Sequence, residues 1–539
     1  MPPRFWVYEG IFYLNVEMTL FQILSETAKS HPDNMAVISG EGRYTYAQFK
    51  DRVDRLASGF ISIGICKNDK IAVIHKNCHR FLEAYFAAAK IGAILVPVNY
   101  RLIPQDFIYI LNDSQARLLI AQPNLISSLP LRKSELPLLK DIVLTEPDEA
   151  IEFWKIPLLY ESMMTSAISA EEQSTLRDDS EVAQIYYTSG TTGKPKGVVL
   201  THRNNLVHAD RAIKELKLLP DDRWLHVSPM FHLADAWAVW AITKVAAVHV
   251  MIPGFEPQSV LEAIEQHRIT LSNFIPTMLN ILVHCPDVSN HDFSSLRLVL
   301  SGGAPIAKEI IRKVIETMGC DYIQTYGLTE TSPFLTMSLL KQKMKSLPFE
   351  EKLRYLATTG RPFCGVQIKV VKEDRSEVIP NEEDVGEIIA KSETITPGYW
   401  RLPEETSKRI LDDWFYTRDL AVINSEGYIT IVDRKEDMII TGGENVYSIE
   451  VEDALYSHPD ILEAAVIGLT DDIWGEIVAA VVVVKDGADL KEREVIRSCE
   501  GKLAPFKIPK KVIFADHLPK TGSEKIYKYK LREKYRNQK

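Results

Sequence analysis

Short apolar runs rich in β-branched residues alternate with longer segments of helical periodicity along most of the chain. The run KIAVIHK (70–76) is followed by a helical pattern at 79–92 and then by a second apolar run at 93–99. The same alternation recurs over 223–267 and over 296–319. Strand, helix and strand at this spacing predict the α/β class, with layers of helices on largely parallel sheets.

The pattern changes in the last third of the chain, where short strand-like runs joined by turns replace most helical segments. These runs predict a small β-rich, barrel-like subdomain at about 360–433. Helix and strand then alternate again, which predicts a small α+β domain over 434–539. The charged segment 433–437 lies between the two and is suited to act as a hinge. We therefore expect a large domain over 18–433, preceded by an extension at 1–17.

Composition and charge limit the class of protein. With 539 residues the chain is too long for one core, and 46% hydrophobic with 25% charged residues is typical of soluble globular proteins. The formal net charge of −10 argues against nucleic acid or an anionic membrane as the main partner. The six cysteines are scattered without a C-x-x-C pair, which favours a cytoplasmic location and gives no reason to expect a structural metal.

The sequence predicts neither a membrane span nor a signal peptide. No apolar run reaches the ~20 residues that a spanning helix needs. The opening segment 1–17 is apolar, but Glu9 interrupts it and a small-residue cleavage site is missing.

The stretch YYTSGTTGKPKGVVLTH (186–202) combines glycines, hydroxyl residues and lysines, as phosphate-binding loops do. A Walker loop would need Gly-Lys followed by Ser or Thr at the start of a helix, but Pro195 follows Lys194 and a β-branched run comes next. This argues against a P-loop kinase or NTPase and predicts strand, loop and strand, without the help of a helix dipole. The residues expected to bind polyphosphate are Thr188, Ser189, Gly190, Thr191, Thr192, Gly193 and Lys196.

Six further segments follow this loop: SGGAP (301–305), TYGLTET (325–331), GEIIAKSETITPGYW (386–400), WFYTRDLA (414–421), VDRKEDMIITGGENVYSIEVE (432–452) and LPKTGSEKIYKYKLRE (518–533). In content and order the seven segments resemble the adenylate-forming superfamily, which includes acyl-CoA synthetases, adenylation domains of peptide synthetases and beetle luciferases. The resemblance implies a reaction in two halves. A carboxylate first attacks the α-phosphate of ATP to give an acyl-adenylate and pyrophosphate, and a thiol then displaces AMP.

The resemblance implies a nucleotide site built from the middle of the chain. Thr329 would hydrogen-bond the α-phosphate, and Glu330 would hold Mg²⁺ as a hard carboxylate ligand can. Asp419 would accept hydrogen bonds from both ribose hydroxyls, with Arg434 as a second contact to the ribose or phosphates. Glycines that allow close backbone approach and one aromatic ring would form the adenine slot: Gly302, Gly303, Ala304, Pro305, Tyr326 and Gly327.

The resemblance also implies a mobile C-terminal domain that takes a different orientation in each half-reaction. Lys525 would reach into the site for adenylate formation, and Glu436 would lie at the hinge. The thiol arm of CoA would pass Gly442 and Gly443, where the missing side chains leave room.

Three positions depart from the usual pattern of the superfamily. Arg418 and Glu524 each replace a usual glycine, and Glu436 stands where Asp or Lys is typical. The departures at Arg418 and Glu524 keep a second class of function open, a family member that binds nucleotide without turnover.

The segment SPMFHLADAWAVWA (228–241) bears on the acid that is activated. Members that activate amino acids have Asp directly after the Phe, whereas here His232 follows, so an amino acid is not expected. Asp235 is either a substitute partner for an amine or the N-cap of the next helix. The residues expected to form an apolar pocket wall are His232, Trp237, Asn273, Pro276 and Thr277.

We therefore expect an AMP-forming acyl-CoA ligase that uses ATP, Mg²⁺ and CoA, with Lys525, Thr329, Glu330 and His232 as catalytic candidates. The expected substrate is a medium- or long-chain fatty acid, and the alternative is an aromatic or alicyclic carboxylate. CoA is the expected thiol because the chain ends 14 residues after Lys525, without room for a carrier-protein domain. An acyl-AMP ligase that loads a free-standing carrier protein stays an alternative, and the oligomeric state, including a homodimer, stays open.

Overall fold

The structure is a computed structural model that describes residues 18–127, 129, 132–148, 157–165, 178–188, 194–471, 473–485, 487–520 and 526–535. The extension 1–17, the middle of the phosphate loop and the predicted catalytic Lys525 lie outside these residues. No helix of the described part combines the length and apolar character that crossing a bilayer would require.

The α-helices are α1 (Leu20–Ser30), α2 (Tyr46–Ser62), α3 (His79–Ile91), α4 (Pro104–Asp113), α5 (Pro123–Ile126), α6 (Tyr160–Thr165), α7 (His202–Leu216), α8 (Leu233–Ala236), α9 (Ala238–Lys244), α10 (Pro257–Gln266), α11 (Pro276–Val283), α12 (Lys308–Met318), α13 (Phe349–Leu356), α14 (Pro403–Arg409), α15 (Ser448–Tyr456), α16 (Glu492–Cys499) and α17 (Lys528–Tyr535).

The strands are β1 (Met35–Ser39), β2 (Gly42–Thr45), β3 (Lys70–Ile74), β4 (Ile94–Pro97), β5 (Ala116–Ala121), β6 (Asp141–Leu144), β7 (Leu158–Leu159), β8 (Val182–Thr188), β9 (Lys196–Thr201), β10 (Arg223–His226), β11 (Val248–Met251), β12 (Leu271–Phe274), β13 (Leu298–Gly302), β14 (Asp321–Gly327), β15 (Phe334–Met337), β16 (Arg361–Pro362), β17 (Gln367–Val371), β18 (Gly386–Lys391), β19 (Gly398–Tyr399), β20 (Ile410–Leu411), β21 (Trp414–Ile423), β22 (Ile429–Arg434), β23 (Ile439–Thr441), β24 (Glu444–Val446), β25 (Ile461–Asp471), β26 (Gly475–Val484) and β27 (Lys511–Phe514).

Two large sheets dominate the first 400 residues. One has the strand order β16-β15-β14-β13-β12-β10-β11-β1-β2, and the other has the order β19-β9-β8-β4-β3-β5-β6-β7. Their central pairs are parallel, and antiparallel pairs occur toward the edges. The predicted α/β class is thereby confirmed.

A layer of helices packs between the two large sheets. The largest hydrophobic core contains residues of α1, α2, α3, α7 and α9 together with strands of both sheets. This arrangement explains why α9 is apolar on all sides, since its residues from Ala238 to Thr243 are all buried.

Two smaller sheets follow. One is antiparallel, with the order β17-β18-β21-β20 and β22 paired to β21, and it corresponds to the predicted β-rich subdomain. The other has the order β24-β23-β26-β25, with β27 parallel to β26, and packs with α15, α16 and α17. One strand of the β-rich stretch belongs to a large sheet instead, because β19 pairs antiparallel with β9.

Candidate functional site

The phosphate loop joins two antiparallel strands. β8 ends at Thr188 and β9 begins at Lys196, and these two residues are paired across the ladder, so the predicted order of strand, loop and strand is confirmed. The loop residues Ser189, Gly190, Thr191, Thr192 and Gly193 lie outside the described residues.

Lys196 is engaged by an acidic residue from a distant part of the chain. Its Nζ lies 2.6 Å from Oε2 of Glu405, in α14, and 5.9 Å from the ring centroid of Tyr399. Hydrogen bonds from Lys196 and Lys408 hold the pKa of Glu405 at about 2. Glu405 is therefore a carboxylate at neutral pH, and Lys196 is paired with it.

Glu330 lies in a short 3₁₀ turn, Thr329–Thr331, that follows β14. The Glu330 side chain is buried, and its Oε1 accepts a hydrogen bond from the Tyr399 hydroxyl at 2.6 Å. Burial and the neighbouring carboxylate raise the pKa of Tyr399 above its ordinary value, so this hydroxyl stays protonated and donates. Because Tyr399 contacts both Glu330 and Lys196, β19 brings the two predicted phosphate-binding segments together.

Sequence reasoning missed the part played by Tyr399. The motif that contains it was recognised, but a two-residue strand is too short to be detected from periodicity. Its partner strand is also distant in sequence.

Three predicted nucleotide-binding residues lie next to one another. The Tyr326 hydroxyl donates to Oδ2 of the buried Asp419 at 2.6 Å, and Nε of Arg434 lies 3.4 Å from Oδ1 of the same carboxylate. Asp419 and Arg434 are paired across β21 and β22. Burial and the Asp419 charge raise the pKa of Tyr326 well above its ordinary value, so its hydroxyl remains a donor.

Backbone segments approach closely around the predicted adenine slot. A Cβ added at Gly327 would lie 1.8 Å from the Pro333 carbonyl oxygen, and one at Gly302 would lie 2.4 Å from Oγ1 of Thr325. Gly303 has φ +86°, and the Ala304 carbonyl accepts from Gln324 at 3.0 Å. Gly303, Ala304 and Pro305 are exposed at the end of β13.

The segment that contains His232 is held by residues of other elements. The Asn77 amide donates to the carbonyls of His226 and Ser228 at 3.2 and 2.8 Å and accepts from the Met230 N–H at 2.8 Å. His232 itself is half-buried, and its ring centroid lies 4.5 Å from that of Phe231. Nothing in the sequence distinguishes Asn77 from other polar residues, so it was not predicted.

The predicted pocket-wall residues fall into two groups. Trp237 and Asn273 are buried, and both donate to the Ala234 carbonyl, at 3.1 and 3.0 Å. Pro276 is half-buried, whereas Thr277 is exposed in the first turn of α11.

The reading of Asp235 as the N-cap of the next helix is wrong. Asp235 lies inside α8 instead of capping a helix, and its fully buried carboxylate accepts from the Trp224 indole at 3.2 Å and pairs with Nδ1 of His226 at 2.6 Å. The carboxylate thus contacts two buried side chains, and the N-cap of α9 is Trp237.

The predicted hinge region has two notable features. Arg418 adopts φ +66°, which explains why glycine suits this position, and its Nε lies 2.6 Å from Oε1 of Glu436. Gly442 and Gly443 have φ +61° and +87°, and both are exposed.

The chain matches known families over most of its length. Residues 24–400 match the model of AMP-binding enzymes, and residues 450–525 match that of the AMP-binding enzyme C-terminal domain. A feruloyl-CoA synthase of Amycolatopsis is 34% identical over 94% of this chain and 97% of its own length. A long-chain-fatty-acid–CoA ligase of Thermus thermophilus is 34% identical over 92% of this chain and 91% of its own length.

The fold agrees with these matches. An o-succinylbenzoate CoA synthetase of Bacillus subtilis, solved with ATP and a magnesium ion, has a TM-score of 0.81 at 27% identity and covers 95% of this chain and 98% of its own. These proteins are named for different acids, so they leave the acid open, but all three are named as CoA ligases, synthases or synthetases. The chain belongs to the AMP-binding enzyme family and is an ATP-dependent, AMP-forming acid–CoA ligase that uses Mg²⁺.

Proposed function

We propose that the enzyme activates a carboxylic acid with a compact apolar body, either a ring carboxylate or a medium-chain fatty acid. The observation that carries this proposal is a cluster of buried aromatic rings beside the predicted acid site. The Trp237 and Phe334 ring centroids lie 5.0 Å apart in an edge-to-face contact, and Phe363 lies 5.7 Å beyond Phe334.

The position of Phe334 ties this cluster to the nucleotide residues. Phe334 of β15 pairs with Gly327 of β14. Along the chain, Gly327 directly follows Tyr326 and lies two residues before Thr329. The acid's carboxylate has to approach the α-phosphate, which we place at Thr329. Phe334 therefore lies on the strand that pairs with the end of β14, next to the turn that carries Thr329. Of the acids expected from the sequence, we therefore favour rings and medium chains, whose compact bodies suit contact with a few aromatic rings.

The buried Glu330 carboxylate fits the role of Mg²⁺ ligand. Within the described residues its side-chain contact is a neutral tyrosine hydroxyl, and no lysine or arginine forms an ion pair with it. A buried carboxylate without a cationic partner suits a hard divalent ion. The ion would neutralise phosphate charge next to Thr329.

We assign the remaining nucleotide contacts to the residues expected from the sequence, of which Tyr326, Asp419 and Arg434 are neighbours. Asp419 and Arg434 would bind the ribose, and Tyr326 with the glycine-rich segment 302–305 would receive the adenine. Lys196 would leave Glu405 and bind phosphate when ATP enters, because a polyphosphate offers more negative charge than one carboxylate.

Lys525 is proposed as the catalytic cation of the first half-reaction, brought to the site by a domain that begins near residue 434 and turns at Glu436. Lys525→Ala should lower acyl-adenylate formation far more, by about 10²-fold or greater, than thioester formation from pre-made adenylate. Rapid-quench measurement of each half-reaction tests this. An equal loss in both halves would contradict the assigned role.

We also propose a cytoplasmic location, because all six cysteines are free thiols.

The experiment that tests the proposed substrate class measures AMP release with ATP, Mg²⁺ and CoA. The panel holds fatty acids from C2 to C18, benzoate, cinnamate and cyclohexane carboxylate. We expect the highest kcat/KM with a ring acid or with C6 to C10 acids. A maximum at C16 or C18 would overturn the proposal, as would nucleotide binding without pyrophosphate exchange.

A further inference from the structure

One ring nitrogen of a buried histidine in the aromatic cluster has no hydrogen-bond partner among the described residues. His208 lies in α7 with 1% of its surface exposed. Its ring centroid lies 4.9 Å from that of Phe334, 5.5 Å from that of Phe363 and 5.6 Å from that of Trp237. Within the described residues, no hydrogen-bond partner reaches Nε2 of this ring.

An unpaired nitrogen at this buried position lowers the stability of the folded protein. A buried polar atom that loses water without gaining a partner destabilises the folded state, and most buried polar groups are therefore paired. A phenylalanine or leucine at position 208 would fill the same space among three aromatic rings without this cost. We take this imidazole as a group kept for a partner that arrives with the substrate because its ring lies against three aromatic rings beside the predicted acid site.

A second unpartnered atom lies near the same tryptophan. Oδ1 of the buried Asn273 has no hydrogen-bond partner among the described residues, while its Nδ2 donates to the Ala234 carbonyl. The Trp237 indole donates to that same carbonyl. Trp237 therefore lies near two side chains that each carry an unpartnered polar atom, His208 of α7 and Asn273 of β12.

The imidazole is neutral at physiological pH. Burial, with a smaller contribution from the charge of Arg211, lowers the pKa of His208 to about 3. A neutral imidazole offers one acceptor and one N–H donor, which match a hydroxyl group that both donates and accepts. A charged group is disfavoured among aromatic rings, where it would be stripped of water.

We propose that His208 is a specificity-determining residue that hydrogen-bonds a hydroxyl or similar uncharged polar group at the end of the acid remote from its carboxylate. The inference rests on the proposed function, because it assumes that the acid's body occupies the aromatic cluster. The substrate class becomes an apolar acid, preferably aromatic, with a distal hydroxyl. Three rings pack around the imidazole, so a distal group has to displace part of this packing to reach it.

The test compares acids that differ by one hydroxyl, with the full-length enzyme, ATP, Mg²⁺ and CoA. The pairs are 4-hydroxycinnamate with cinnamate and 6-hydroxyhexanoate with hexanoate. For at least one pair we expect wild-type kcat/KM to be about 10-fold or more higher for the hydroxylated acid. His208→Phe should remove that preference by lowering kcat/KM for the hydroxylated acid about 10-fold, with the unsubstituted acid within about threefold of wild type.

His202→Phe is a matched control in the same helix. His202 is fully buried, and its Nε2 is also unpartnered among the described residues, but its Nδ1 accepts from the Leu20 N–H at 3.2 Å. Within the described part of the chain its ring does not stack on Trp237, Phe334 or Phe363. This variant should leave the ratio of the two kcat/KM values unchanged. Urea unfolding gives a second measurement, in which His208→Phe should be at least as stable as wild type because the unpaired nitrogen is removed.

Each outcome decides for or against the inference. An equal hydroxyl preference in wild type and His208→Phe would overturn it, and so would an equal loss on both acids together with reduced stability, which indicates a packing role. Absence of turnover with every acid of the pairs, while a long-chain acid is turned over, would overturn the proposed function and this inference with it.

Discussion

Arg418 holds a backbone conformation that glycine adopts without strain. Its φ of +66° places a Cβ in the left-handed region, which costs roughly 1–2 kcal/mol. The ion pair with Glu436 offsets only part of this, because the two side chains are 43% and 26% exposed and such pairs contribute about 0–1 kcal/mol. The sequence alone showed that the glycine was replaced, and the backbone angle shows what the replacement costs.

We expect Arg418→Gly to be more stable than Arg418→Ala by about 1 kcal/mol. Both variants lose the ion pair, but only glycine also relieves the left-handed strain. Urea unfolding of the two variants measures the difference. Equal stability would mean that the backbone at this position is not strained.

Gly327 is the residue where a single methyl group should be most damaging to the site. In Gly327→Ala the new Cβ would meet the Pro333 carbonyl, so the turn that carries Thr329 and Glu330 has to move. Displacement of positioned groups by about 1 Å can cost about 10²-fold in rate, and we expect a loss of this size in pyrophosphate exchange. Gly254→Ala is the control, since an added Cβ there has no neighbour within 4 Å. Near-normal exchange in Gly327→Ala would contradict the tight packing.

Among the elements, α15 depends on an acidic side chain supplied by β22. The Ser448 backbone N–H and hydroxyl both donate to the buried Asp433, and Lys528 of α17 donates to the Ser448 hydroxyl at 2.6 Å. Burial raises the pKa of Asp433, while the Lys528 charge and the hydrogen bonds act in the opposite direction. One carboxylate thus ties the end of the β-rich sheet to two helices of the C-terminal part.

Asp433→Ala should destabilise α15 by about 1–2 kcal/mol, since the first turn of the helix loses both a hydrogen-bond acceptor and a favourable negative charge. Hydrogen exchange of amides 448–456 should speed up accordingly. Glu450→Ala is the comparison in the same turn: its ion pair with Lys507 is 2.7 Å long but partly exposed, so its loss should cost less than about 1 kcal/mol. Equal effects would show that Asp433 acts as an ordinary surface charge.

Periodicity predicted most elements correctly, because β-branched runs and amphipathic patterns are local properties. The helix expected at 79–92 is observed at His79–Ile91, and the β-rich stretch is an antiparallel sheet. Partners that depend on tertiary packing could not be predicted in this way. The sequence suggested a helix cap or an amine partner for Asp235, but its carboxylate is buried against His226. The position of His226 follows from the register of the sheet, which a local pattern does not show.

Buried histidines link the stability of the whole molecule to pH. Burial lowers the pKa of His75 and His202 to about 4 and that of His208 to about 3, whereas these groups titrate near 6.5 in an unfolded chain. The unfolded state therefore binds protons that the folded state excludes. The stabilising contribution is complete above pH 6.5 and is lost as pH falls toward 4.

Below pH 6 the free energy of unfolding should fall by about 1.4 kcal/mol per pH unit for each such histidine. Urea unfolding from pH 7.5 to pH 4.5 measures it, and His202→Phe should make the curve shallower by the share of one histidine. A curve that stays flat between pH 6.5 and pH 4.5 would show that these imidazoles are not buried as neutral groups.

The pairing of β19 with β9 also has a consequence for how the protein is made. The edge of β9, at the end of the phosphate loop, is covered by Gly398 and Tyr399, which pair with Val199 and Val198 about 200 residues earlier in the chain. A ribosome adds roughly 5–20 residues per second, so this edge waits roughly 10–40 s for its partner during synthesis. An apolar strand with an open edge is exposed to misassembly for that interval. Nascent chains halted before residue 398 should therefore bind chaperones more than chains released after residue 400.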